Sequence, residues 1–438
     1  MHHTLDSLRS GALAGQRRVN LRGGLTEFPR ELFELAGTLE VLDLSDNQLS
    51  DLPPDLHRLH RLQVLFASGN CFTRMPEAVG RCEGLLQVGF KANRIAELPA
   101  EALPPRLRWL TLTDNALAEL PDELGRRPLQ KLMLAGNRLT HLPDSLAGNN
   151  TLELLRLAAN PLQALPAWLT ELPRLSWLAL AGHDLGWQQA APAPLPVAEW
   201  AELAVGELLG EGASGLIHRA RWSPAGRQPV DVALKLFKGE VTSDGLPEDE
   251  MAATLAAGDH PNLVGVLARL QGHPQGTHGL LMPLLATGHQ VLAGPPSLAS
   301  CTRDVYPPGL KLTAANTHAL ALGVAQAVGQ LHARGLLHGD LYAHNLHWLP
   351  GQGSSVRLGD FGAATRLPAA EPALAAALQS LEVRAFGVLL DELLALTSAL
   401  PASSPLPALR DACLARSPRE RPAMQQAIRV MAGDRAAG

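Results

Sequence analysis

The feature that most constrains this chain is a nine-residue phrase that returns every 22 or 23 residues through its first half. LEVLDLSDN (Leu39–Asn47) recurs as LQVLFASGN (Leu62–Asn70), LLQVGFKAN (Leu85–Asn93), LRWLTLTDN (Leu107–Asn115), LQKLMLAGN (Leu129–Asn137) and LELLRLAAN (Leu152–Asn160). Degenerate copies bracket these: Val19, Leu21 and Gly24 before them, and Leu175, Leu178, Leu180 and His183 after. A unit this short cannot bury its leucines alone, so the copies must stack and share one continuous core. Asn47, Asn70, Asn93, Asn115, Asn137 and Asn160 should then form a ladder that bonds backbone groups where the chain leaves each strand. Every copy continues with LxxLPxxL, as at Leu49–Leu56 with Pro53. That proline favours a return path in irregular or 3₁₀ conformation over a long helix.

The pattern resembles the leucine-rich repeat family. The resemblance implies an α/β solenoid over residues 1–186, with about eight repeats counting the terminal ones. Residues that alternate with the leucines face its concave side. There Phe66, Trp109 and Met133 lie beside Lys91, Lys131 and Arg156, a combination that interface hot spots use, and a protein substrate or regulator is the expected partner. Trp177 falls on the same face, with packing against the C-terminal half or the end cap as its alternative reading. Residues 187–202 read as a linker. Its WQQAAPAPLPVAE (Trp187–Glu199) alternates alanine and proline, which favours an extended, semi-rigid spacer.

Charge excludes some functions. The net value is −5, with 19 Lys+Arg against 21 Asp+Glu before residue 199 and 18 against 21 from there onward. Neither half is basic, so nucleic-acid and anionic-membrane partners have no electrostatic support. Four scattered cysteines (Cys71, Cys82, Cys301, Cys413) without framework spacing fit a reducing cytoplasm. MHHTLDSLRSG at the start lacks an apolar signal region, and the uncharged Leu312–Ala333 stretch reads as a buried core helix rather than a membrane span. A soluble, cytoplasmic protein is expected.

The second half carries four short motifs in order: GEGASG (Gly210–Gly215), VALK (Val232–Lys235), HGDLYAHN (His338–Asn345) and DFG (Asp360–Gly362). Singly each is weak, because glycine triplets and DxxxxN runs arise by chance. In this order and at these gaps they supply a phosphate cradle, a cation, a proton acceptor and two metal ligands. Residues 203–217 read as strand, glycine turn, strand, and Val230–Phe237 as a strand bearing Lys235. PEDEMAATLAA (Pro247–Ala257) reads as a helix, and Thr313–Arg334 as a longer one that delivers the HGDLYAHN loop.

Over residues 203–433 the chain is similar to eukaryotic-type protein kinases. The resemblance implies an α+β bilobal fold, with an N-lobe over 203–284 and a C-lobe over 285–433. It also implies an ATP-dependent protein kinase of the Ser/Thr class that uses Mg²⁺, or Mn²⁺ in its place. Gly210, Gly212, Gly215, Ile217, Ala233, Lys235, Met282, Pro283 and Leu285 would then bind the nucleotide, with Met282 as gatekeeper. Asp340 would be the base, Asn345 and Asp360 the metal ligands, and Glu250 the partner of Lys235, with Glu248 and Asp249 as rivals. Phe361 and His338 would pack rather than react.

Three departures stand out. Gly339 replaces the arginine usual before the catalytic Asp, so an activation-loop phosphate has no partner there. Tyr342 replaces the usual lysine two residues after it, and His344 is the nearby residue able to supply partial positive charge. The stretch from Gly362 to Glu382 is short and offers only Thr365 and Ser380 as hydroxyl acceptors. AAE (Ala369–Glu371) is the best match to the family's closing motif, with Glu371 able to pair Arg421. Two other readings stay open: a small-molecule phosphotransferase, since HGDxxxxN also resembles aminoglycoside and choline kinases, and a pseudokinase scaffold.

Overall fold

The structure is a computed structural model and describes residues 3–183, 185, 187, 195–212, 214–239, 241, 242 and 244–433. The expected polyproline spacer falls largely on residues 188–194, and Ala213 on the glycine turn; both lie outside the described residues. The chain divides into two compact units, one of residues 1–175 with 183–185, the other of 176–182 with 186–438.

The first unit opens with a short helix, α1 (Leu5–Arg9), capped by Thr4. A parallel ladder then runs in chain order through β1 (Arg18–Asn20), β2 (Val41–Asp43), β3 (Val64–Phe66), β4 (Gln87–Gly89), β5 (Trp109–Thr111), β6 (Lys131–Met133) and β7 (Leu154–Arg156). A further short strand, β8 (Trp177–Ala179), belongs to the second unit. The central residues Leu42, Leu65, Val88, Leu110, Leu132 and Leu155 stand opposite one another and are all buried. Each fully buried side chain in this column contributes about 1.5–3 kcal/mol.

The asparagine ladder forms as its chemistry requires. The Nδ2 of Asn70 donates to the carbonyls of Leu44, Ala67 and Ser68, while its Oδ1 accepts the Leu49 N–H. Asn47, Asn93, Asn115, Asn137 and Asn160 repeat this set one copy at a time. One amide thus satisfies backbone groups of two adjacent copies, groups that would otherwise be buried without partners. The residue before each asparagine takes a left-handed conformation to turn the chain: Asp46, Gly69, Ala92, Asp114, Gly136 and Ala159, with φ between 53° and 67°. The opposite side returns through 3₁₀ turns, several of them following a proline, as at Glu77–Val79 after Pro76.

The second unit has an upper sheet and a helical lower part. In the sheet, β9 (Val197–Glu199), β10 (Leu203–Glu211), β11 (Gly215–Trp222), β12 (Val230–Phe237), β13 (Ala268–Gln271) and β14 (Gly279–Pro283) lie in the order β10-β11-β12-β14-β13-β9. β9 lies upstream of the expected domain start at 203, within residues read as linker. It pairs parallel to β13, and its alternation buries Ala198 in the sheet's core cluster between exposed Val197 and Glu199. The helix α2 (Pro247–Ala257) starts with proline in its first turn, where the missing N–H costs nothing. In the lower part, α3 (Ala314–Ala333) is capped by the Thr313 hydroxyl. Helix α4 (Pro372–Ala395) is 24 residues long and apolar enough by length and composition to cross a membrane, yet much of it is buried in this unit's core.

Candidate active site

Building the site begins with β12. Its alternation puts Lys235 inward, opposite Leu280 of β14. One turn into α2, Glu250 reaches back, and Lys235 Nζ pairs with Glu250 Oε1; the two side chains are only 11% and 5% exposed. Burial raises the Glu250 carboxyl above its usual range, against the pull of Lys235, and Asp360 adds to the rise. An ion pair this buried is worth keeping only where both charges are needed, because its desolvation offsets most of the attraction. Of the rivals, Glu248 is exposed and Asp249 makes no pairing of this kind.

A cavity of about 360 Å³ opens beside this pair. Its lining includes Gly210, Gly212, Gly215, Ile217, Lys235, Glu250, Met282, His344, Asn345 and Asp360, so ten of the expected site residues converge there. The glycine turn closes through the Gly212 N–H, which donates to the Gly215 carbonyl at 2.9 Å. Asp340, Ala233, Pro283 and Leu285 are not among the lining residues; Asp340 stands behind Asn345 and His344, which are. Ala233 stands opposite Met282 and Pro283 opposite Val232 in the sheet.

The lower wall is the loop after α3. The Asn345 Nδ2 donates to both the backbone carbonyl and Oδ2 of Asp340, at 2.9 and 2.8 Å. With its NH₂ so used, Asn345 offers an amide oxygen, and Asp360 offers a carboxylate. Oxygen donors of this kind suit a hard cation such as Mg²⁺. His338 packs as expected, its Nε2 bonded to the Gly359 carbonyl at 2.8 Å and its ring 5.3 Å from that of Phe361.

Two residues that hold this loop were not singled out for the site by sequence reasoning. Glu382, from α4, accepts the Gly339 N–H at Oε1 and bonds His332 Nε2 at Oε2, both at 2.8 Å. Burial alone would raise its pKa, but these partners hold it below the ordinary carboxylate value. Asp304 accepts from the His344 N–H at 3.0 Å and bonds His344 Nδ1 at 2.7 Å. Burial would lower the His344 pKa, but the Asp304 bond and the charges of Asp340 and Asp360 raise it. Glu382 figured in the sequence only as the end of the short stretch after Gly362; Asp304 sits in a loop without any motif.

The departures acquire structural reasons. Gly339 has φ +75°, and a Cβ there would come within 2.5 Å of the Ala363 carbonyl oxygen and 2.6 Å of that of Leu178. No arginine fits. Trp177, 1% exposed, stacks on Tyr342 with ring centroids 4.3 Å apart and planes 8° apart, and its Nε1–H donates to the Leu341 carbonyl. The Leu180 N–H donates to Thr365 Oγ1 at 3.0 Å, and Thr365 is 2% exposed. Ser380 donates to the Pro418 carbonyl. Neither expected hydroxyl is thus a free acceptor. Helix α4 already begins at Pro372, so the segment after the DFG triplet is shorter than the sequence reading allowed. Glu371 is the exposed N-cap residue of that helix, while buried Arg421 donates to the carbonyls of Ala415 and Ser380.

On the repeat face, Phe66 and Trp109 meet edge to face at 6.4 Å, and Lys131 Nζ lies 4.2 Å over the Trp109 ring. Phe66, Lys91, Trp109, Lys131 and Met133 are all partly exposed. Arg156 corrects the expectation, and Trp177 takes its alternative reading, packed against Leu341 and Tyr342. Both are buried and engaged by the chain itself, so neither belongs to an open surface.

Comparison with known proteins agrees with both halves. Residues 203–384 match the family of protein tyrosine and serine/threonine kinases. Residues 38–59, 105–162 and 127–185 match leucine-rich repeat families. Among curated proteins, the PH domain leucine-rich repeat-containing protein phosphatase 1 of Homo sapiens is 34% identical over 92 residues, as is its Mus musculus counterpart. Those matches span 21% of this chain and 5% of each relative, so they cover only a small part of either. Leucine-rich repeat models thus match the N-terminal part and a protein kinase model the C-terminal part, the arrangement of a leucine-rich repeat kinase.

Proposed function

We propose that the chain is an ATP-dependent protein kinase of the Ser/Thr class, and that its repeats recruit the substrate or a regulator. The observation that carries this reading is the assembled Lys235–Glu250 pair, facing the same cavity as Asn345 and Asp360. A lysine so held presents one fixed charge to the nucleotide phosphates, while the Gly210–Gly215 turn covers them with backbone N–H groups. Asp340, fixed by Asn345, accepts the proton of the acceptor hydroxyl. Asn345 and Asp360 would hold Mg²⁺, which when bound neutralises charge on the phosphate oxygens. Met282 borders the adenine end. Phe66, Lys91, Trp109, Lys131 and Met133 form the recruiting face.

Labelled ATP tests the reading. The wild-type chain should phosphorylate itself or a lysate protein, and both Lys235→Met and Asp340→Asn should reduce transfer at least 100-fold while the fold persists. Undiminished transfer by Asp340→Asn would remove the base assignment.

A second reading draws support from the truncated segment after Gly362 and from the Trp177 cover on Tyr342. Both reduce the surface on which a peptide could lie, which favours a small hydroxylated acceptor. A panel of hydroxylated metabolites assayed for ATP consumption separates the two readings, since a protein kinase consumes no more ATP in their presence.

A further inference from the structure

The loop that precedes α3 contains a buried carboxylate that no part of the kinase reading uses. Asp304 has a fully buried side chain. Its segment is pinned by the antiparallel pair of Val305 with Gly294, with backbone bonds of 2.8 and 3.0 Å. Oδ2 accepts the His344 backbone N–H and Oδ1 bonds the His344 ring at Nδ1. The ring is also held on its face. Tyr342 stacks against it with centroids 5.0 Å apart, and Trp177 stacks on Tyr342 in turn. With Nδ1 committed, the ring's remaining polar atom is Nε2. It lies 3.8 Å from Asp340 Oδ2, and His344 lines the cavity.

We propose that Asp304 is a positioning residue for phosphoryl transfer: it fixes the His344 ring so that Nε2 stands beside Asp340 at the acceptor end of the cavity. The proposal deepens the kinase reading and rests on it. A carboxylate that orients an imidazole through Nδ1, leaving Nε2 for the reacting groups, is a recurrent way to preset one ring orientation and one tautomer. It also answers the loss of the usual lysine. Tyr342 takes that lysine's place in the sequence but turns to the stack with Trp177, so His344 is the nitrogen group left at that edge of the site. An Asp304 that merely capped the 343–345 turn would hold the backbone N–H alone. The second bond, to the ring, is what a positioning role adds.

The test uses the full-length chain and the variants Asp304→Ala, His344→Ala and the double variant. Each single change should lower kcat by about 10- to 100-fold with KM for ATP unchanged, measured at a temperature where circular dichroism shows every variant folded. The double variant should be no slower than His344→Ala alone, because Asp304 acts through that ring. Multiplying losses, or a raised KM for ATP, would overturn the proposal. Independently of turnover, a ¹⁵N-histidine NMR spectrum should show a low-field Nδ1 proton that disappears in His344→Gln and also in Asp304→Ala. Its persistence in Asp304→Ala overturns the positioning role. If that signal behaves as expected while the wild-type chain transfers no phosphate, the kinase reading falls and the geometric assignment of Asp304 stands.

Discussion

Glu382 shows how much one carboxylate can organise. It joins α4 to the backbone before Asp340 and to His332 of α3, all in a buried setting. Glu382→Ala should therefore cost about 3–5 kcal/mol, the range for removing one partner of a buried charged pair, read as a loss of urea stability. Glu392 gives a pH signature. Burial raises its pKa to about 7, even with the Tyr306 hydroxyl donating to it at 2.9 Å. The folded state thus keeps a proton that the unfolded chain releases near pH 4.5. This group's contribution is full below about pH 4.5, declines as pH rises towards 7 and is gone above it. Glu392→Gln should flatten that part of the stability curve, as measured by denaturation at several pH values. At this scale the convergence of Lys235, Asn345 and Asp360 on one cavity was legible because each sits in a short motif of characteristic spacing. Glu250 was readable from its place one turn into a helix. Asp304 was not, since its partner lies 40 residues away and nothing local marks it.

Among elements, the repeat strands and their turns were readable almost to the residue, because a period of 22–23 leaves little freedom. Less visible were the backbone costs inside that regularity. Ala92 and Ala159 take φ +53° in positions where Gly69 and Gly136 serve neighbouring copies. An L-residue in that region costs about 1–2 kcal/mol. Ala92→Gly should accordingly raise stability by roughly 0.5–1 kcal/mol after the glycine's extra unfolded-state entropy, a gain visible as a higher thermal midpoint. Helix α4 was underestimated for the opposite reason. The PALAAALQSLE run after Glu371 is made of strong helix formers with proline in the first turn. The sequence reading left Gly362–Glu382 as one short stretch without elements, and the helix takes up its second half.

On the scale of the whole molecule, residues 176–182 matter beyond their number. Alternation placed Trp177 on the correct side of its strand. Packing against the C-terminal half was one of two readings the sequence left open, but the partners themselves were not legible, because Trp177 meets Leu341 and Tyr342 across more than 160 positions. Trp177→Ala should destabilise the second unit by about 3–5 kcal/mol, the range for emptying a buried aromatic site, and calorimetry would register it in that unit's transition. A chain begun at residue 195 should show the same deficit, and one begun at 176 should recover it.

The glycine at 339 carries a lesson for anyone who would rebuild this protein. Its missing side chain and the oxygen of Leu178 fill the same small space, so neither can change without the other. Grafting in a catalytic loop with arginine before the aspartate would force the 176–182 strand away and strip the cover from Tyr342. Successful chimeras must transplant the loop and that strand as one cassette, although they are far apart in the gene.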